Sequence, residues 1–104
     1  MKSYRISSVE PIRFGVLSVT FEDGLSGEID LSADIKPGSI FEPLNDAALF
    51  GRVQIASDGR SIGWKLGELG SEIDLGADSL RIDIETQHVH QLAERYRMQR
   101  TAAE

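Results

Sequence analysis

The chain has 104 residues, with 40% hydrophobic and 27% charged side chains and a formal net charge of −6. That is one domain's worth of chain and one modest core, which excludes a dinucleotide fold with a separate substrate domain or a barrel enzyme of about 250 residues. Cysteine is absent, so disulfides, thiolate metal sites and a cysteine nucleophile are excluded as well.

No run approaches the length of a membrane-spanning helix. The opening MKSYRISSVEPIRF has no apolar stretch of the signal-peptide kind. Together these point to a cytoplasmic protein. Charge divides unevenly. Residues 1–87 hold 8 basic and 15 acidic side chains, while residues 88–104 hold Arg95, Arg97 and Arg100 against Glu94 and Glu104. An acidic body repels a phosphate backbone, so nucleic acid is an unfavoured partner. Arginines near a helix C-terminus complement its dipole and need no ligand to explain them.

The first half reads as β-structure. Tyr4 to Val9 is a strand that Pro11 ends or places at an edge. Over Val16–Phe21, alternation puts Leu17, Val19 and Phe21 on one face. Asp23-Gly24 then marks a hairpin, expected as a type I′ turn. The returning strand, Leu25–Leu31, turns Leu25, Gly27, Ile29 and Leu31 inward and Ser26, Glu28 and Asp30 outward.

Residues 32–45 form a connection broken at Pro37-Gly38 and Pro43, whose Ile35, Ile40, Phe41 and Leu44 pack down on the sheet. Asn45 or Asp46 caps a short helix, Ala47–Gly51, that buries Leu49 and Phe50. Val53–Ala56 and Ser61–Trp64 flank Asp58-Gly59, a second hairpin of the same design. Residues 65–76 read as a loop in which Ile73 and Leu75 form a short strand or an anchor. Asp78-Ser79 caps a turn carrying Leu80 and Ile82. From Thr86 to Arg100 the chain is helical, with Val89, Leu92, Ala93 and Tyr96 as a narrow apolar stripe.

The predicted whole is an α+β domain at 1–85, a small antiparallel sheet of hairpins with one short central helix, followed by a helical tail at 86–104. Its expected core is Leu17, Val19, Phe21, Ile29, Leu31, Phe41, Leu49, Phe50, Ile62 and Leu80. The ordered set Phe21-x-Asp23-Gly24, Ile29-Asp30-Leu31, Gly38-x-x-Phe41-x-x-Leu44, Asp46-x-x-x-Phe50, Val53, Gly59-x-x-Ile62-x-Trp64 and Asp74 to Leu80 resembles the bacterial domain-of-unknown-function family numbered 2442, over about residues 4–85. The resemblance implies a small α+β domain with no established activity. In related chains a helix-turn-helix region can follow, for which residues 88–104 leave no room. It also implies an encoded neighbour, as in toxin–antitoxin-like pairs.

Chemistry-bearing clusters are sparse. Glu28 and Asp30 share a strand face, a pattern that suits acid–base work or Mg²⁺ but is ordinary on a solvated sheet face. His88 and His90 stand two residues apart, whereas helical zinc pairs stand four apart. There is no Gly-x-Ser-x-Gly, and Gly67-Glu-Leu-Gly70 lacks the lysine of a phosphate loop. We therefore expect no catalytic residues, metal or cofactor. The expected function is a non-enzymatic protein-interaction or regulatory module. A carboxylate- or metal-dependent hydrolase and a DNA-binding regulator are the alternatives. Trp64 is expected in the core or as a partner-binding anchor. Val89, Leu92 and Tyr96 are expected to be covered by the chain's own sheet or by a second copy, and we favour a homodimer.

Overall fold

The computed structural model describes residues 4–103, with side chains described through residue 97; residues 1–3 and 104, the extremes of the expected body and tail, lie outside it. Two three-stranded antiparallel sheets and a long C-terminal helix make an α+β fold. The first sheet has strands β1 (Ile6–Arg13), β2 (Val16–Phe21) and β3 (Ser26–Asp30), in that order. The second has β4 (Gln54–Ile55), β5 (Ser61–Trp64) and β6 (Ile73–Gly76), also in chain order.

β1 is longer than the sequence suggested and runs through Pro11. It is an edge strand with register shifts between Ile6 and Ser8 and between Pro11 and Arg13, the setting in which a sheet tolerates a residue without an N–H. Both Asp-Gly pairs sit in hairpin turns, but only the glycine of each pair is left-handed (Gly24 φ 94°, Gly59 φ 72°). A type I′ turn needs positive φ at both positions, so the expected turn type is corrected. Gly24 N–H donates to the Phe21 carbonyl and Gly59 N–H to that of Ala56. The aspartates act through their side chains. Asp23 Oδ1 accepts the Leu25 N–H at 3.3 Å and Asp58 Oδ1 the Arg60 N–H at 3.0 Å, each two residues on.

Between the sheets, a turn of 3-10 helix at Glu42–Asn45 leads into a one-turn helix, α1 (Ala47–Phe50). Asp46 is its cap, accepting the Ala48 N–H at 3.0 Å. Leu44 and Phe50 are buried, Phe41 and Leu49 half-buried. Ile40, expected to pack down, is 73% exposed.

One core joins both sheets. Leu17, Val19, Phe21, Ile29, Leu31, Leu44, Phe50, Ile62, Trp64, Leu80 and Ile84 belong to a single buried cluster. The sheets are stitched at their margins by Ile6 N–H to the Gly59 carbonyl (2.8 Å). Ala77 N–H, donating to the Arg60 carbonyl at 2.7 Å, pins the start of α2 (Ala77–Ala103). This helix is continuous through 27 residues, about 40 Å long, because nothing between Ala77 and Ala103 is glycine or proline. Asp78 and Ser79 therefore lie inside its first turn, and the expected break between Ile82 and Thr86 is absent. The extents of 58 × 34 × 20 Å reflect its projection beyond the sheets.

Candidate interaction surface on the C-terminal helix

The helix is docked at its start and bare further along. Ala77, Leu80 and Ile84 enter the core. Ile84 reaches over β3 where Gly27 leaves space: a Cβ there would stand 2.9 Å from Ile84 Cγ2. One turn later, Gln87 Nε2–H donates to the Glu28 carbonyl at 2.9 Å, and His88 Nε2 stands 3.0 Å from the Ser26 carbonyl. Even-numbered residues of β3 point these groups away from β2, so two side chains of α2 occupy hydrogen-bonding positions on the open edge of the sheet.

Arg81 fastens the same stretch. Its guanidinium lies 4.1 Å from the centre of the Tyr4 ring and 5.1 Å from that of Phe21, and it pairs with Asp23 at 2.9 Å and Glu85 at 2.7 Å. The hydrogen bond to Asp23, with that to Glu85, raises its pKa further, against the opposing effect of burial. Sequence reasoning explained Asp23 by its turn alone. A cation three residues before the buried Ile84 was the available signal for this latch.

Beyond His88 no described residue of the helix belongs to the buried cluster. Val89, Leu92 and Tyr96 are 64%, 63% and 62% exposed, and Ala93 is half-buried. Of the two covers expected for this stripe, the chain's own sheet is excluded for Val89, Leu92 and Tyr96, and the reason is angular. At 3.6 residues per turn, Leu80, Ile84, Gln87 and His88 share one side, while Ile82, Val89, Leu92 and Tyr96 share another, roughly 130° around the helix. A helix held by its first face turns the second one outward. Ile82, 66% exposed, is the member that sequence reasoning assigned elsewhere; its spacing of seven from Val89 was the missed signal.

Trp64 lies in the core with no exposed area. Its Nε1–H donates to the Phe50 carbonyl at 2.9 Å and its ring stands 5.8 Å from that of Phe50. It offers a partner no surface, so the anchor reading of Trp64 is corrected to a core role.

The polar candidates are dispersed. Asp30 Oδ1 accepts both the Oγ–H and the N–H of Ser32, and these two bonds hold its carboxyl below the usual range. Glu28 and His90 are exposed. Among the described residues, no three His, Cys, Asp or Glu side chains come together in a metal-holding group. Three surface depressions, of about 410, 350 and 520 Å³, lie around Glu72 and Asp74, around Ile40 and Ser71, and around Arg52 and Lys65. None of the three includes Glu28, Asp30 or His88. No described helix is long and apolar enough to cross a membrane. Searched against protein-family models, curated proteins and solved structures, the chain matches none.

Proposed function

We propose that this protein is a non-enzymatic interaction module that docks a protein partner on the outward face of α2. The observation that carries the reading is the exposure of Val89 and Leu92, above 60% each, on the side of the helix turned away from its own sheets. Apolar side chains aligned on one helix face are a recurring protein-recognition device, read at spacings of three, four and seven. The face is built on a long helix whose root is held by core packing, by Arg81 and by the bonds to β3, which presents it in a defined direction. The motif order over residues 4–85 supports a kinship with the bacterial family numbered 2442, and with it a cytoplasmic role beside a second small protein, as in toxin–antitoxin-like pairs.

The test compares the full chain with a Val89→Glu, Leu92→Glu variant, each used as bait in an extract of the cell of origin and followed by mass spectrometry. Both positions are exposed in the single chain, so the variant is expected to keep the fold of the parent, as circular dichroism would show. Partners held by the parent, an untagged copy of the chain included, are expected to be lost from the variant. Equal recovery on both baits overturns the reading.

A further inference from the structure

Charge along α2 is polarised. Between Ala77 and Gln87 one arginine, Arg81, stands against three carboxylates, Asp78, Asp83 and Glu85. From His88 to Ala103 three arginines, Arg95, Arg97 and Arg100, stand against Glu94 alone. Arg81 pairs with Asp23 and Glu85, which leaves Asp78 and Asp83 as the acidic groups of this half outside that cluster. The outward apolar face of Ile82, Val89, Leu92 and Tyr96 straddles the changeover, with its middle between Val89 and Leu92.

A helix with this pattern is complementary to itself in one direction only. Laid antiparallel, the acidic first half of one copy meets the basic second half of the other, and the apolar face meets its own image. Laid parallel, acid meets acid and base meets base. We infer that the occupant of this face is a second copy of the chain, with the two α2 helices packed antiparallel about a two-fold axis near Val89 and Leu92. The inference rests on the docking role proposed above for the same face.

In this arrangement Val89 of one copy packs against Leu92 of the other on both sides of the axis, as an isologous contact requires. Ile82 approaches the end of the partner helix that carries Tyr96. Asp78 comes level with the arginine-rich end. The distal half of α2 gains most. A lone helix of about 15 residues is marginal in water, and the sheets of its own chain do not cover Val89, Leu92 or Tyr96. An acidic start and a basic end also suit the dipole of a single helix, a gain open to the monomer. Solution mass separates the two explanations.

The experiment is light scattering on the full chain across the micromolar range, with orientation read by spin labels. The expected mass is twice the 11.4 kDa of one chain. Leu92→Glu is expected to raise the dimer dissociation constant about tenfold or more, with circular dichroism and melting of the separate chains unchanged. Because the chain has no cysteine, His90→Cys and Asp83→Cys each carry a single label. Antiparallel packing places the two labels at position 90 close together and those at position 83 about 10–20 Å further apart, from a rise of 1.5 Å per residue. Parallel packing makes the two distances alike and overturns the inference. A single-chain mass throughout also overturns it, and if the Val89→Glu, Leu92→Glu variant still loses a different protein in the bait experiment, the docking role stands without the second copy. A dimer indifferent to Leu92→Glu overturns the second copy as occupant of this face.

Discussion

Gly63 shows how one missing side chain positions a sheet. It lies in β5, buried, opposite Asp74 of β6. A Cβ at this position would stand 2.2 Å from the Ile73 carbonyl oxygen and 3.0 Å from Asp74 Cα, both backbone atoms that cannot swing aside. β6 is therefore pressed onto β5 as only glycine allows. Gly63→Ala is expected to separate the two strands and to cost more than about 4 kcal/mol, the range of the most damaging single substitutions. Urea denaturation checks it, and a loss below about 1 kcal/mol would show that the strands part easily. Its neighbour Trp64 illustrates a different constraint. The indole is buried without an unsatisfied donor because the Phe50 carbonyl at the end of α1 receives its N–H.

Among the elements, α2 depends on its root. Burial of Leu80 and Ile84 supplies the apolar part, and Arg81 adds a cation stacked on Tyr4 and Phe21 between two carboxylates. Asp23 and Glu85 are about half exposed, which weakens each pair, so Arg81→Ala is expected to cost about 1–2 kcal/mol. Arg81→Lys is expected to recover little of it, since an ammonium lacks the planar fork that serves two acceptors and lies flat on a ring. Thermal or chemical denaturation of the two variants distinguishes this from a merely solvated arginine, whose replacement would leave stability unchanged.

The hairpins, α1 and the inward strand faces were legible in the sequence because each rests on local signals: alternation, Asp-Gly pairs and an aspartate cap. The core was legible for the same reason, with all ten expected members buried or half-buried. The course of α2 was harder to read. Ile82 and Ile84 are two residues apart and fall on different sides of a helix, so which one enters the core is decided by β3, where Gly27 makes room for Ile84. The stripe at Val89, Leu92 and Tyr96 was visible as a pattern, but its direction depends on where the helix is anchored. Trp64 was ambiguous because aromatic residues suit cores and interfaces alike.

At the scale of the whole molecule, the two sheets form one core and the helix extends well past it. Small domains are short of buried area. Here no described residue of α2 beyond Ile84 belongs to the monomer's buried cluster, so the far part of the helix adds chain without adding to that core.

The bonds from Gln87 and His88 to the carbonyls of Glu28 and Ser26 have a further consequence, for solubility. β3 is the outer strand of its sheet, and an uncovered outer strand is a template on which a strand of another molecule can grow. The two side chains and the helix above them block that growth. A chain ending at Thr86 keeps Ala77, Leu80 and Ile84 and so is expected to fold, yet it leaves the outward carbonyls of β3 open. It is expected to form thioflavin-binding, β-rich aggregates under conditions in which the full chain stays clear. Equal clarity of the two over the same time would show that β3 guards itself. Otherwise the helix is a safeguard against fibrillar self-association.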